Sequence, residues 1–141
     1  MSINLSDEAR QYLGLFDSET GVGARDCLVD DTNDRLVFLI PPGEMGSAIG
    51  SDGQTIQAFE SLVGCQVELV EDAETAEDFV ANALAPAAVY NVTISENRDV
   101  VAYAEVAHED RGVAIGTEGK TIHRARRLAK RHFDIDDVEL V

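Results

Sequence analysis

The segment Ile49-Gly50-Ser51-Asp52-Gly53-Gln54-Thr55-Ile56 recurs 66 residues later as Ile115-Gly116-Thr117-Glu118-Gly119-Lys120-Thr121-Ile122. The shared pattern, I-G-x-x-G-x-x-I, makes narrow demands on a fold. Its glycines permit a tight turn between helices and the close approach of a ligand to the backbone. Its isoleucines, seven residues apart, are expected to anchor the flanking turns in a core. The residues after the second glycine read as a helix start, so free N–H groups and the positive dipole end should face whatever sits on the loop. A phosphate suits that geometry.

The repeat is wider than the loop. Gly46 and Ala48 match Gly112 and Ala114, and Val67-Glu68-Leu69-Val70 returns as Val138-Glu139-Leu140-Val141. Matching flanks on both sides indicate duplication of a unit of about 70 residues. Such a unit buries only about 60% of its unfolded surface. The two copies, residues 1–72 and 73–141, are therefore expected to pack on each other.

Local signals give each copy the same order. A helix from Leu5 to Phe16, with Ser6 as its cap, precedes strands at Arg25 to Val29 and Leu36 to Ile40. Two helices meet at the Gly50–Gly53 loop, Gly64 stops the second, and Gln66 to Val70 forms a strand. The order restarts at Thr75, which caps a helix with Ala76, Phe79, Val80, Ala83 and Leu84 on one face. Strands follow at Val89 to Ile94 and Val100 to Val106. Then come a short helix at Gly112 to Ile115, a long one to His132 and the final strand. The expected fold class is α+β, two α-β-β-α-α-β units.

Charge is unevenly placed. The chain carries 27 acids against 11 bases, a net charge of −16. Such self-repulsion destabilises a compact state unless salt screens it. The composition therefore reads as a halophilic surface; an acidic protein that avoids nucleic acid is the competing reading. From Leu36 to Asn97 there is no Lys, Arg or His. Between Gly119 and His132 stand Lys120, Arg124, Arg126, Arg127, Lys130 and Arg131, with no acid. On a helix, Lys120, Arg124, Arg127 and Arg131 fall within about 60°. His123, Arg126 and Lys130 extend that stripe on one side, and Ile122, Ala125, Leu128 and Ala129 form the core face. A solvated basic face beside a helix C-terminus is one explanation. A nucleic-acid face opening on a glycine loop is the better one.

Catalysis finds little support. The loops lack the Lys-Ser/Thr of a P-loop, Gly21-Val22-Gly23 opens no dinucleotide fingerprint, and no nucleophile–base–orienter set stands out. Cys27 and Cys65 form no CxxC and share no ligand spacing with His108, His123 or His132. They read as small apolar side chains in strands or at strand edges, not as a disulfide or a metal site. No cofactor and no small-molecule substrate are expected. No apolar run is long enough to span a membrane, and no secretory signal is present, so a cytoplasmic location is expected.

Two consecutive α-β-β-α-α-β units, each with its I-G-x-x-G-x-x-I loop, resemble tandem type II KH domains. The C-terminal run Ala125-Arg126-Arg127-Leu128-Ala129-Lys130-Arg131-His132-Phe133-Asp134-Ile135 and the strand after it resemble the archaeal NusA-like transcription termination/antitermination proteins. The resemblance spans essentially the whole chain. It implies a non-enzymatic two-KH body, without the polymerase-binding and S1 domains of longer bacterial relatives, that binds single-stranded RNA and acts in transcription termination. A KH loop clamps about four nucleotides of backbone. Carried onto this chain, the RNA-binding residues are Gly50, Ser51, Asp52, Gly53 and Gln54 in the first unit. In the second they are Gly116, Thr117, Glu118, Gly119, Lys120, Arg124, Arg127 and Arg131. Isoleucines 49, 56, 115 and 122 should lie near the groove floors. KH loops usually carry a basic residue between the glycines; here both carry an acid, Asp52 and Glu118. The first loop therefore either binds RNA through backbone N–H groups, Ser51 and Gln54, or serves packing or a protein partner. A scaffold docked on RNA polymerase or a ribosomal assembly is the alternative function, and single-stranded DNA as ligand stays open.

Overall fold

A computed structural model describes residues 3–141. Contacts divide the chain into two compact units, the first Asn4–Asp72 and the second chiefly Ala73–Val141. Each runs α-β-β-α-α-β.

In the first unit, α1 (Asp7–Thr20) starts where the Ser6 hydroxyl accepts the Ala9 N–H at 3.0 Å. It runs past Phe16 and ends at Gly21, whose left-handed φ of 75° lets its N–H cap Asp17 O. Strands β1 (Asp26–Asp30) and β2 (Arg35–Ile40) form an antiparallel hairpin. Next come α2 (Met45–Ile49), a turn of 3₁₀ helix at Ser51–Gly53, α3 (Gln54–Val63) and β3 (Gln66–Glu71). Strand β3 returns parallel to β2, so β2 is central and β3 is an edge.

The core joins the helices to the sheet through three phenylalanines. Phe16 of α1 stacks on Phe38 of β2 with centroids 4.3 Å apart, and Phe59 of α3 meets both edge-on at 5.1 and 5.5 Å. Burial of this cluster fixes α3, and with it the glycine loop, over the sheet. A polar cluster closes the hairpin. Arg35, with its side chain 2% exposed, donates to Asp30 at 2.7 Å and to Glu68 at 2.9 Å. Burial pushes the Asp30 carboxyl upward, but hydrogen bonds from Asn33 and Arg35 outweigh it and hold it at about 2.

The second unit repeats the plan with different fillings. Thr75 accepts the Asp78 N–H at 3.2 Å and starts α4 (Ala76–Ala83). Strands β4 (Val89–Glu96) and β5 (Val100–Val106) pair antiparallel. Then come α5 (Arg111–Ile115), a 3₁₀ turn at Thr117–Gly119, α6 (Lys120–Phe133) and β6 (Asp137–Leu140), parallel to β5 at the sheet edge. Here Ile122, Ala125, Leu128 and Ala129 of α6 are buried, as are Ala102 and Ala104 of β5 and Val138 of β6. Phe79 packs against Phe133 at 4.8 Å.

Cys27 is buried in β1, where burial pushes its thiol up to about 12, and Cys65 is a free, half-buried thiol just before β3. No helix among the described residues is long and apolar enough to cross a membrane.

Candidate nucleic-acid interface

The two loops have the same backbone. Gly50, Asp52 and Gly53 take φ values of 79°, 53° and 73°; Gly116, Glu118 and Gly119 take 80°, 56° and 74°. Both glycines of each loop occupy the left-handed region that disfavours a side chain. The first carries a further constraint. A Cβ on Gly50 would lie 2.9 Å from Thr55 N, and one on Gly116 would lie 2.8 Å from Thr121 N. The threonine backbone cannot yield without unwinding the helix start, so the first glycine is required by contact as well as by φ.

The turn also uses some of its own donors. Gly53 N–H bonds Gly50 O, Gln54 N–H bonds Ser51 O, and Gly119 and Lys120 repeat both bonds on Gly116 O and Thr117 O. Fewer N–H groups therefore remain at these helix starts than an isolated helix terminus would offer. Asp52 and Glu118 are exposed at the loop tips, as are Ser51, Thr117 and Gln54. Of the four flanking isoleucines, Ile56 packs against the first core and Ile122 is buried as expected, whereas Ile49 and Ile115 depart from the expectation of a core anchor. Ile49 is 37% and Ile115 41% exposed, while Ile122 is buried. The five-residue helices α2 and α5 each bury one side chain, Ala48 and Ala114. Apolar surface is thus left beside each loop.

Helix α6 sorts its bases into three groups. Arg127 is exposed, and Lys120 and Arg131 are half-buried with their Cα positions on the outward arc. Arg126 and Lys130 are held by acids of their own unit. Arg126 Nε lies 2.9 Å from Asp137 Oδ1, and Lys130 Nζ lies 3.3 Å from Asp134 and 2.9 Å from Asp136. Hydrogen bonds donated by Lys130 to Asp136 and Asp134 raise the Lys130 amine, and the bond from Lys130 lowers the Asp136 carboxyl.

Arg124 is the exception to the expected stripe. Its residue is 8% exposed, and its Nη2 donates to Ala83 O at 3.0 Å and Ala85 O at 3.2 Å. These carbonyls end α4, which has no basic residue in its own last turn. Arg124 therefore neutralises a helix C-terminus from inside the unit. On the helical wheel it stands about 40° from Leu128, at the border of the apolar face. In this conformation it is not placed to meet a phosphate.

Alongside α6 a groove of about 510 Å³ is lined by Arg111, Ile115, Ile122, Arg126, Glu139 and Leu140. It runs between the loop-bearing helices and the edge strand β6.

Comparison with known proteins matches this geometry. The family described as "NusA-like second KH domain" matches residues 76–141, and "KH domain" matches residues 11–76. The chain is 61% identical over 140 residues to the probable transcription termination protein NusA of Halobacterium salinarum, covering 99% of each chain. It is 59% identical, with the same coverage, to that of Halococcus morrhuae. The crystal structure of APE1850 aligns with a TM-score of 0.88 at 33% identity, over 97% of this chain and 100% of that one. The chain belongs to the NusA family.

Within a NusA-family fold of two KH domains, the loops stand where the sequence reading expected them, each leading into its longer helix. Sequence reasoning missed Arg111, Glu139 and Leu140 as groove residues. One signal was available: Glu139-Leu140 lies in the repeated Val-Glu-Leu-Val, a strand whose edge position follows from the KH topology.

Proposed function

We propose that this NusA-family chain binds single-stranded RNA in transcription termination or antitermination, with the second KH domain supplying most of the affinity. The observation that carries the reading is the combination found only in that domain among the described residues. A glycine loop opens directly into a helix presenting Lys120, Arg127 and Arg131, beside a groove with an apolar floor. The names of the relatives support the transcriptional role.

The phosphate backbone would run over Gly116–Gly119, taking hydrogen bonds from the N–H groups of Thr117 and Glu118 and from Lys120. Arg127 and Arg131 would meet the following phosphates. Bases would lie over Ile115 and Ile122. The first loop, Gly50, Ser51, Asp52, Gly53 and Gln54, has the same backbone but no cation, and so contributes shape, backbone N–H donors and the Ser51 and Gln54 side chains. At molar salt, counterion release adds little, and short hydrogen bonds with apolar base contact carry the affinity. Asp52 and Glu118, at exposed tips, can turn to solvent. The protein would act without catalysis, in the cytoplasm, on transcripts presented by RNA polymerase.

Fluorescence anisotropy of labelled single-stranded RNA in molar KCl tests the reading. Native protein should bind, and a Lys120, Arg127, Arg131→Gln variant of unchanged fold should lose most of that binding. Failure of the native protein to bind any of several RNAs would favour a scaffold that docks on polymerase or a ribosomal assembly. Equal binding of the matching single-stranded DNA would remove the RNA assignment.

A further inference from the structure

We propose that the open edge of the second domain's sheet, strand β4, pairs antiparallel with β4 of a second copy of this chain, about a two-fold axis at Thr93. Such pairing does not depend on RNA.

The other sheet edges carry acids within the strand: Asp26 and Asp30 on β1, Glu68 and Glu71 on β3, Asp137 and Glu139 on β6. Charge is a common guard against unwanted strand pairing. Strand β4 has one acid, Glu96, at its very end. It lies in the longest stretch without a charged residue, Phe79 to Ser95, in a chain of net charge −16. Its counterpart β1 is largely buried. On β4, by contrast, Tyr90 is 69% exposed, and Asn91 and Thr93 are exposed as well.

The backbone of β4 is set for a further strand. From Asn91 to Glu96 its register with β5 is regular. Val100 and Ala104, opposite Glu96 and Val92, turn their carbonyls to the β6 side, where they accept from the N–H groups of Asp136 and Val141. Along an antiparallel pair, facing residues alternate between bonding each other and pointing away. Val92, Ile94 and Glu96 therefore direct their N–H and C=O groups away from β5.

A two-fold axis at Thr93 sets Val92 of each copy opposite Ile94 of the other, with those groups facing. Thr93 meets Thr93 and Asn91 meets Ser95, uncharged pairs that suit a strand contact. The same symmetry brings Arg98 of each copy opposite Ala88 of the other. Arg98 is exposed in the β4–β5 turn and is the first base after Arg35. Beside Ala88 a groove of about 380 Å³ is lined by Glu77 and Asp78 of α4 and by Val89, Tyr90 and Asn91 of β4. Two carboxylates and an aromatic ring are complementary to a guanidinium. Each copy thus supplies both halves of the contact, as an isologous interface requires. Molar salt screens the repulsion between two acidic chains. Strand β6 and the groove along it lie at the opposite edge of the sheet, so a dimer would offer two such grooves to one ligand.

Sedimentation equilibrium of the full chain in molar KCl, from about 1 μM to 1 mM, tests the pairing. The mass should rise from monomer toward dimer with concentration. Thr93→Glu sets like charges against each other on the axis and should raise the dissociation constant at least about tenfold. Thr93 is exposed, so circular dichroism of that variant should match the native chain. Arg98→Glu should weaken association about threefold, and adding Glu77→Arg should recover most of the loss, because the exchanged charges meet across the axis. A native chain that stays monomeric throughout would overturn the proposal and leave the edge to a strand of another protein. A dimer that Thr93→Glu leaves intact would overturn it too, by placing the interface elsewhere. Loss in Arg98→Glu without recovery by Glu77→Arg would overturn the register at Thr93.

Discussion

The two KH domains of this chain hold the same loop in two different settings. Their loop dihedrals agree within a few degrees, yet the first follows its loop with Gln54 and an uncharged helix face, and the second with Lys120 and a basic one. The interiors differ as well. Three phenylalanines and a buried Asp30–Arg35–Glu68 cluster stiffen the first. Alanines and the inward Arg124 assemble the second. After duplication the loop geometry is kept while the charge of the helix that follows it changes. The glycines and the threonine behind them maintain the loop.

The largest expected effect breaks the first domain. Asp30→Ala leaves Arg35 buried with one partner fewer and should cost about 3 kcal/mol in urea unfolding at fixed KCl. The same carboxyl sets a pH dependence. Its folded value is about 2 against an ordinary 3.8, so its stabilisation is fully present above the unfolded value. That stabilisation should disappear as pH falls from about 4 to 2, and the variant should lack this part of the acid transition.

The next effect tests the inequality of the loops. Lys120, Arg127, Arg131→Gln should weaken RNA binding by at least about thirtyfold. Ser51→Ala with Gln54→Ala should weaken it by no more than about threefold. Equal losses would mean that both loops work alike. A smaller effect belongs to Arg124. Replacement by Gln should destabilise the second domain by about 2 kcal/mol, because the carbonyls ending α4 lose a charged donor. RNA affinity under conditions where the variant is folded should change little, which separates Arg124 from the outward bases. The smallest effect sharpens the comparison: Asp52→Lys should raise RNA affinity about threefold by giving the first loop the cation it lacks.

Much of this was legible from local chemistry. The caps Ser6 and Thr75, the stop at Gly64, the hairpins and the doubled loop depend on neighbours in the chain, and the structure places them as read. Arg124 was not legible. Its partners, Ala83 O and Ala85 O, lie about 40 residues away, and the wheel angle that put it in the basic stripe also put it next to Leu128. Ile49 and Ile115 looked like core residues because their spacing is helical, but α2 and α5 are too short to bury more than one alanine each. The place of Glu139 in the groove was hidden for a related reason. Whether a charged side chain is engaged depends on the strand packed beside it, and Glu68 and Glu139, identical in the repeat, meet different neighbours.

The most direct measurement of the central claim is an amide nitrogen–proton NMR titration of the full chain with single-stranded RNA in molar KCl. Resonances of Thr117, Glu118, Gly119, Lys120 and Arg127 should shift first and furthest, with Ser51, Asp52 and Gln54 moving later and less. Shifts led by the first loop, or confined to it, would contradict the assignment of RNA affinity to the second domain.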